Sequence, residues 1–274
     1  MKPFLRTALL IPTLLLSGAA WAHGSDSDVD AKLQQFAQGE HRSEKNIARN
    51  PYRNPAQTLS FFGIHPDMTV IELWPGGGWY SEIIAPYLKD NGQFVAANFD
   101  TSDKQTVNFY KNAGKRYLQK VKDNPEIYGN TKVINFDPSL SPDLGVEASA
   151  DMVLTFRNLH NWAMKGKMET VFQSAFEVLT PGGVFGVVEH RGTAQMPAES
   201  GYMDEAEVIA LAKKVGFKLA AKSEINANPK DTKDYERGVW TLPPSLRLKE
   251  KDREKYLAIG ESDRMTLKFY KPEI

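Results

Sequence analysis

The sequence predicts an α/β domain built on a mainly parallel sheet with helices on both faces. Three observations carry this prediction. Short apolar runs alternate with segments of helical period from residue 69 onward. Three glycines, Gly76, Gly77 and Gly78, stand directly behind the first apolar run and before the first helix of that series. The chain has 274 residues, enough for one domain of this class with a large core.

Residues 1–22 read as an export leader. Lys2 and Arg6 give a positive start, "TALLIPTLLL" is an apolar core shorter than a bilayer span, and "AWA" is a small-x-small cleavage site. Cleavage near Ala22 and a periplasmic or secreted mature chain are expected. No cysteine occurs, which excludes disulfides and thiolate metal sites. The 34 basic residues balance the 34 acidic ones, and loss of Lys2 and Arg6 leaves the mature chain near neutral. No nucleic-acid partner is expected from that balance. No later apolar stretch is long enough to span a bilayer, so no stable membrane insertion is expected after cleavage.

Residues 23–53 are polar and helix-prone, with few apolar positions (Val29, Leu33, Phe36, Ile47). They predict a helical arm on the surface or a lid helix. The main domain is expected over residues 54–274. Asn54 is placed to cap a helix, Pro55 suits its first turn, Leu59, Phe61 and Phe62 give its buried face, and Gly63 ends it. "MTVIEL" is the first strand. "WYSEIIAPYLKD" is a helix with Trp79, Ile83, Ile84, Tyr87 and Leu88 inward and Pro86 in its last turn. "GQFVAANFD" is the second strand, and a long helix started by Ser102 follows. "KVINFD" and "ADMVLTFRN" are the third and fourth strands. "MKGKMETVFQSAFEVLT" is a helix that stops at "PGG", and "VFGVVEH" is the fifth strand. Asp204 caps the next helix and Gly216 ends it. "FKLAAKSE" and "RMTLKFYKP" are the sixth and seventh strands. Between these two, residues 225–263 lack a clean period and are rich in charge, proline and asparagine. So long a connection is functional or partly ordered. It reads either as a lid or acceptor wall over the strand ends, with residues 260–264 returning to the site, or as a solvated excursion.

Ligands of open parallel sheets bind beyond the C-terminal ends of the strands. The glycine turn after the first strand is placed to cradle one, with the next helix offering its N-terminal N–H groups. A dinucleotide fingerprint fails, because Ser81 stands where its third glycine belongs. A phosphate loop fails, because its lysine is missing. Glu72, at the end of the first strand, disfavours a pyrophosphate and favours a cationic or amine-bearing ligand.

On these segments the chain resembles the class I S-adenosylmethionine-dependent methyltransferases, and a bacterial exported group of predicted methyltransferases in particular. "VIELWPGGGWYSEIIAPYL", "ADMVLTFRNLHNW", "VLTPGGVFGVVEHR" and "LKFYKP" match the family's segments in order, and the similarity runs from about Pro55 to the C-terminus. The resemblance implies a Rossmann-like, seven-stranded, mostly parallel sheet with its last strand antiparallel. It implies S-adenosyl-L-methionine as cofactor and a small-molecule acceptor. Glu72 would contact the cofactor's ammonium, and Gly76, Gly77 and Gly78 would line its methionine and ribose portion. Asp100, with Asn98 as second choice, would hold the ribose hydroxyls. Asp137 would read the adenine amine, or only make an Asx turn before Pro138. Arg157 and Asn158 would end the fourth strand beside the cofactor. Trp74 departs from the family, which has glycine there. Its indole would be an aromatic wall against the sulfonium, or core filling beside Pro75.

Methyl transfer needs a base only where the acceptor must lose a proton. His160, just past the fourth strand, is the first candidate, and Glu189 and His190 at the end of the fifth strand come next. Each can instead be a hydrogen-bonded rim residue. His65 reads as turn structure, and His23 and His41 fall in the arm. No metal ligand set is expected. A competing reading keeps the scaffold as a non-catalytic ligand-binding or sensory module, because the leader separates the chain from a cofactor made in the cytosol.

Overall fold

The computed structural model describes residues 31–273, and the leader expected at residues 1–22 lies outside them. The described chain starts with three short helices, α1 (Ala31–Ala37), α2 (Glu44–Ile47) and α3 (Asn50–Arg53), and then α4 (Pro55–Phe62). It continues through β1 (Thr69–Leu73), α5 (Ser81–Leu88), β2 (Gln93–Phe99), α6 (Asn108–Asp123), α7 (Pro125–Tyr128) and β3 (Lys132–Phe136). Next come β4 (Ala150–Phe156), α8 (Leu159–Ala163), α9 (Met168–Val178) and β5 (Leu179–Gly192). It closes with β6 (Met203–Asp204), α10 (Glu205–Val215), β7 (Lys218–Ser223), α11 (Arg253–Ile259) and β8 (Arg264–Tyr270).

The strand order is β3-β2-β1-β4-β5-β8-β7, and β6 pairs with the far end of β5. β1 to β5 pair in parallel, whereas β8 runs antiparallel to both β5 and β7. The continuous path has the seven strands expected, with the last one in sequence antiparallel, and β6 adds an eighth beside it. The extra one, β6, is two residues long and carries no apolar run that could announce it. The winding reverses between β1 and β4, which opens a crevice beyond their C-terminal ends.

Alternation along the strands divides the core into two layers. Ile71, Leu73, Val95 and Val153 face one side, with Phe172 of α9 and Ala212 of α10. Val70, Phe94 and Leu154 face the other, with Leu33 of α1, Leu59 of α4 and Ile83 of α5. The helical arm lies on the surface but is anchored to this layer by a few buried residues. Leu33 and Ala37 are buried, and Arg42 is only 3% exposed. Polar contacts hold it: Arg42 donates to Ala37 O, to Asn50 Oδ1 and to Glu82 of α5.

Two helix starts differ from expectation. Ser102 does not begin α6, because its N–H and hydroxyl both donate to Asp100 Oδ1, and the helix starts at Asn108. Asn54 makes no side-chain cap on α4, because its Nδ2 donates to Ile225 O. Asp204 does cap α10, accepting from Glu207 N at 2.9 Å. α9 ends at Val178, and β5 has already begun before the "PGG" turn.

Gly186 marks the closest packing in the sheet that bears on these layers. A Cβ there would lie 2.6 Å from Leu154 Cδ2 and 2.9 Å from the Phe62 ring. Gly186→Ala is expected to cost about 1–3 kcal/mol by overpacking, read as a lower urea midpoint with an unchanged denaturant slope.

Candidate functional site

The turn after β1 is built on left-handed backbone. Trp74 has φ 47°, Gly76 61° and Gly78 76°. A Cβ on Gly76 or Gly77 would meet nothing within 4 Å, so open space lies over the turn. A Cβ on Gly78 would come within 3.0 Å of the Tyr117 ring. Three contacts pin the turn. Trp74 N donates to Ala97 O of β2 at 2.8 Å. Asn158, at the start of α8, donates to Leu73 O at 3.0 Å and Trp74 O at 3.3 Å. Lys120 of α6 donates to Gly77 O at 2.9 Å.

The indole of Trp74 is a buried floor and not an exposed wall. It is 3% exposed, and Nε1 donates to Phe136 O of β3 at 2.8 Å. The ring packs on Phe99, Tyr110 and Trp162 at centroid distances of 4.8, 5.2 and 5.2 Å. A buried indole N–H needs an acceptor; the end of β3 supplies it, and the ring is drawn across the end of β2.

Glu72 is buried, and its Oε2 accepts from Ser81 Oγ at 2.6 Å. Ser81 in turn accepts from Tyr117 OH at 3.0 Å. Burial pushes the Glu72 carboxyl up from 4.5 to about 7, and the Ser81 bond only partly opposes this. At the end of β2, Asn98 is fully buried: its Nδ2 donates to Gly114 O of α6, and its Oδ1 has no hydrogen-bond partner. Asp100 Oδ1 accepts from Ser102 N, Ser102 Oγ and Asp103 N, and Oδ2 from Ser141 Oγ at 3.2 Å. Burial works against its charge, but these four donors outweigh burial and hold the carboxyl below its ordinary value. Asp137 makes the Asx turn: Oδ1 accepts from Ser139 N at 2.8 Å.

The ends of β4 and β5 carry a second group. Glu189 is fully buried. Its Oε2 accepts from Leu159 N at 2.6 Å, and its Oε1 from His190 N at 2.8 Å. His160 Nδ1 lies 3.2 Å from Glu189 Oε1, and Trp240 of the 225–263 connection packs edge-on at 5.8 Å from the His160 ring. His190 Nδ1 is 2.5 Å from Ser262 Oγ. Burial pushes the His190 imidazole well below its usual range, and His160, Arg264 and Arg157 push the same way. Arg157 is half-buried with φ 62°. Burial lowers its guanidinium to about 10, with Arg264 adding to the effect.

The predicted residues therefore fall into two groups joined by Asn158. Glu72, Trp74, Asn98, Asp100 and Asp137 surround the glycine turn, and Arg157, His160, Glu189 and His190 lie across the crevice. One ligand atom from each of His160, Glu189 and His190 lies within 4.8 Å of the others, a spacing that would admit a metal ion. The positive charge of Arg157 and Arg264 beside His190 opposes a cation there. Sequence reasoning missed Ser81 and Tyr117, and also Arg49, Arg53 and Glu261, which border the second group. The composed "GESDR" segment was the signal for Glu261 and Ser262.

No family model matches the sequence, and no curated protein matches it. Solved structures do match the fold. A SAM-dependent methyltransferase from Aquifex aeolicus aligns with a TM-score of 0.52 at 15% identity, over 71% of this chain and 92% of its own. This is the class I methyltransferase fold. A candidate sarcosine dimethylglycine methyltransferase from Galdieria sulphuraria shares the fold with a TM-score of 0.55 at 14% identity, over 87% and 91% of the two chains. The cyclase SpnF does so at 0.55 and 13% identity, over 86% and 85%. Its name speaks for a different reaction, so a methyltransferase fold does not by itself fix the chemistry. Among the described residues, no helix is long and apolar enough to cross a membrane.

Two outcomes test this geometry. Between pH 4.5 and about 7 the folded chain keeps a proton on Glu72 that the unfolded chain releases. Stability therefore falls as pH rises through that window. Glu72→Gln should flatten the urea midpoint there and exceed the parent by roughly 2–3 kcal/mol above it. Trp74→Gly relieves the left-handed backbone but empties the indole's site. A net loss of about 3–5 kcal/mol in urea unfolding is expected.

Proposed function

We propose that the chain is an S-adenosylmethionine-dependent methyltransferase acting on a small-molecule acceptor. One observation carries the reading: an open glycine turn beside an ionised Asp100, at the crevice of a methyltransferase sheet. The residues fit the cofactor. The space over Gly76 and Gly77 leaves room for its methionine and ribose portion. Asp100 Oδ2 carries one hydrogen bond and can accept from a ribose hydroxyl. Asp137 has one carboxylate oxygen outside its Asx turn for the adenine amine. Glu72, engaged by Ser81, is a positioning residue at the start of α5 and no longer the ammonium contact. Asn98 is sealed under α6 and takes no part.

The cofactor, when bound, supplies an electrophilic methyl group; the chain supplies alignment and dry surroundings. Glu189 orients His160. With a proton on Nδ1 facing the carboxylate, Nε2 is left to take a proton from an acceptor. His190, neutral at ordinary pH, lines the same wall, and Trp240 closes it from the 225–263 connection. In this reading the chain works outside the cytosol after cleavage near Ala22, where cofactor must reach it. Trp74, standing where the family has glycine, and the leader keep a second reading, a ligand-binding module without turnover.

Titration calorimetry with S-adenosylmethionine and S-adenosylhomocysteine tests the proposal. Saturable binding of both is expected. Gly77→Phe should weaken it at least about tenfold, a loss of roughly 1.4 kcal/mol, with unchanged unfolding, since Gly77 faces open space. No heat at millimolar ligand rejects the reading. His160→Gln should keep binding but lower product release, on incubation with a metabolite extract, by about 10²–10⁴-fold. Binding by the parent chain without any release would favour the silent module.

A further inference from the structure

We infer that Arg49, Arg53, Arg157 and Arg264 form a subsite for an anionic group, a carboxylate or a phosphate, on the β4–β5–β8 side of the crevice. Three of the four guanidiniums share one carboxylate. Glu261 accepts from Arg49 Nε at 2.6 Å, from Arg53 Nε at 2.9 Å and from Arg264. Arg157 lies within electrostatic reach of Glu261 and Arg264, and its side chain makes no hydrogen bond among the described residues. The neighbouring acids are already engaged. Glu82 pairs with Arg42 and Lys120, and Asp263 with Arg191 and Lys233.

The donors left over are buried. Arg49 Nη2, Arg53 Nη1 and Nη2 and Arg264 Nε have no acceptor. Arg53 and Arg264 are each 2% exposed. Buried cationic donors without acceptors are strongly disfavoured, and chains keep them where a ligand completes the set. The Trp79 ring, 4.7 Å from Arg53, orients that guanidinium without offering an oxygen. Arg157 adds backbone strain, with a left-handed φ at the end of β4.

Shape and access agree. Planar forks of N–H donors match the paired oxygens of a carboxylate or phosphate. Arg53 and Arg264 make the floor. The Arg49 side chain, 19% exposed, and the half-buried Arg157 make the entrance. His190 pairs in register with Arg264 across β5 and β8, which sets the subsite next to His190, whose ring lies 5.6 Å from that of His160. The anion can be the acceptor's own or the carboxylate of a cofactor. Assignment to an acceptor rests on the methyl-transfer reading; the anion chemistry does not.

Thermal melting of the purified chain tests this, with inorganic phosphate and malonate set against chloride at matched ionic strength. Both anions should raise the melting temperature above chloride. In Arg157→Met and Arg49→Gln the anion affinity should fall roughly tenfold. Melting of Arg157→Met in chloride should stay or rise, because a repelling charge is gone. Phosphate and malonate no better than chloride, or variants that respond like the parent, would overturn the inference. Saturating S-adenosylmethionine separates the sources. If it cancels the anion response and its decarboxylated analogue does not, the cofactor carboxylate is the occupant. If the response survives, the acceptor is. A chain that binds neither cofactor form but keeps the anion response refutes the methyltransferase reading and leaves the subsite standing.

Discussion

The carboxylate of Glu261 holds the two ends of the described chain together at the mouth of the sheet. Arg49 and Arg53 reach it from the arm, and Arg264 reaches it from the first residue of β8, more than two hundred positions later in sequence. Its loss would strand three guanidiniums in a buried place, which is far costlier than losing a surface ion pair. This explains how an arm with few apolar residues is docked at all. It is docked by charge here and by Arg42 on Glu82 further along, with Leu33 and Ala37 supplying the apolar contact.

Across the crevice the electrostatics differ from side to side. Around the glycine turn stand the carboxyl groups of Glu72, Asp100 and Asp137, with the Lys120 ammonium held by Gly77 O and Glu82, and Asp100 is kept ionised by its own loop. Beyond β4 they are guanidiniums and imidazoles, with Glu189 committed to His160 and two backbone N–H groups. A ligand with positive charge at one end and negative charge at the other matches this division. The open glycine turn and the excess of guanidinium donors are two independent features of one cleft.

Much of the sheet was legible in the sequence, because β1, β2, β4 and β5 are continuous apolar runs and the caps at Asp204 and Gly216 follow simple chemistry. The start of α6 was not. Ser102 has the right side chain for a cap, but Asp100 competes for its donors, and a contest between neighbours leaves no mark on hydrophobic period. The anchors of the arm were not legible either, since burial of arginine and asparagine looks like solvent exposure in composition. At the site, the glycine turn and the histidine-bearing strand ends could be read directly. The direction of a side chain could not: Glu72 turns to Ser81, and Trp74 turns down to Phe136. Arg49 and Arg53 escaped notice because nothing in a linear chain shows that they converge on Glu261.

Asn158 has a consequence for how the two halves communicate. Its side chain holds two carbonyls of the turn, and its backbone begins the helix that carries His160 two residues later. Any ligand that shifts the turn must pull on that amide, and any shift of α8 must tug the turn. The turn and α8 are thus tied together by this amide and by the packing of Trp74 on Trp162. Such a linkage favours an order of events, in which filling the glycine turn first sets the imidazole for whatever enters second.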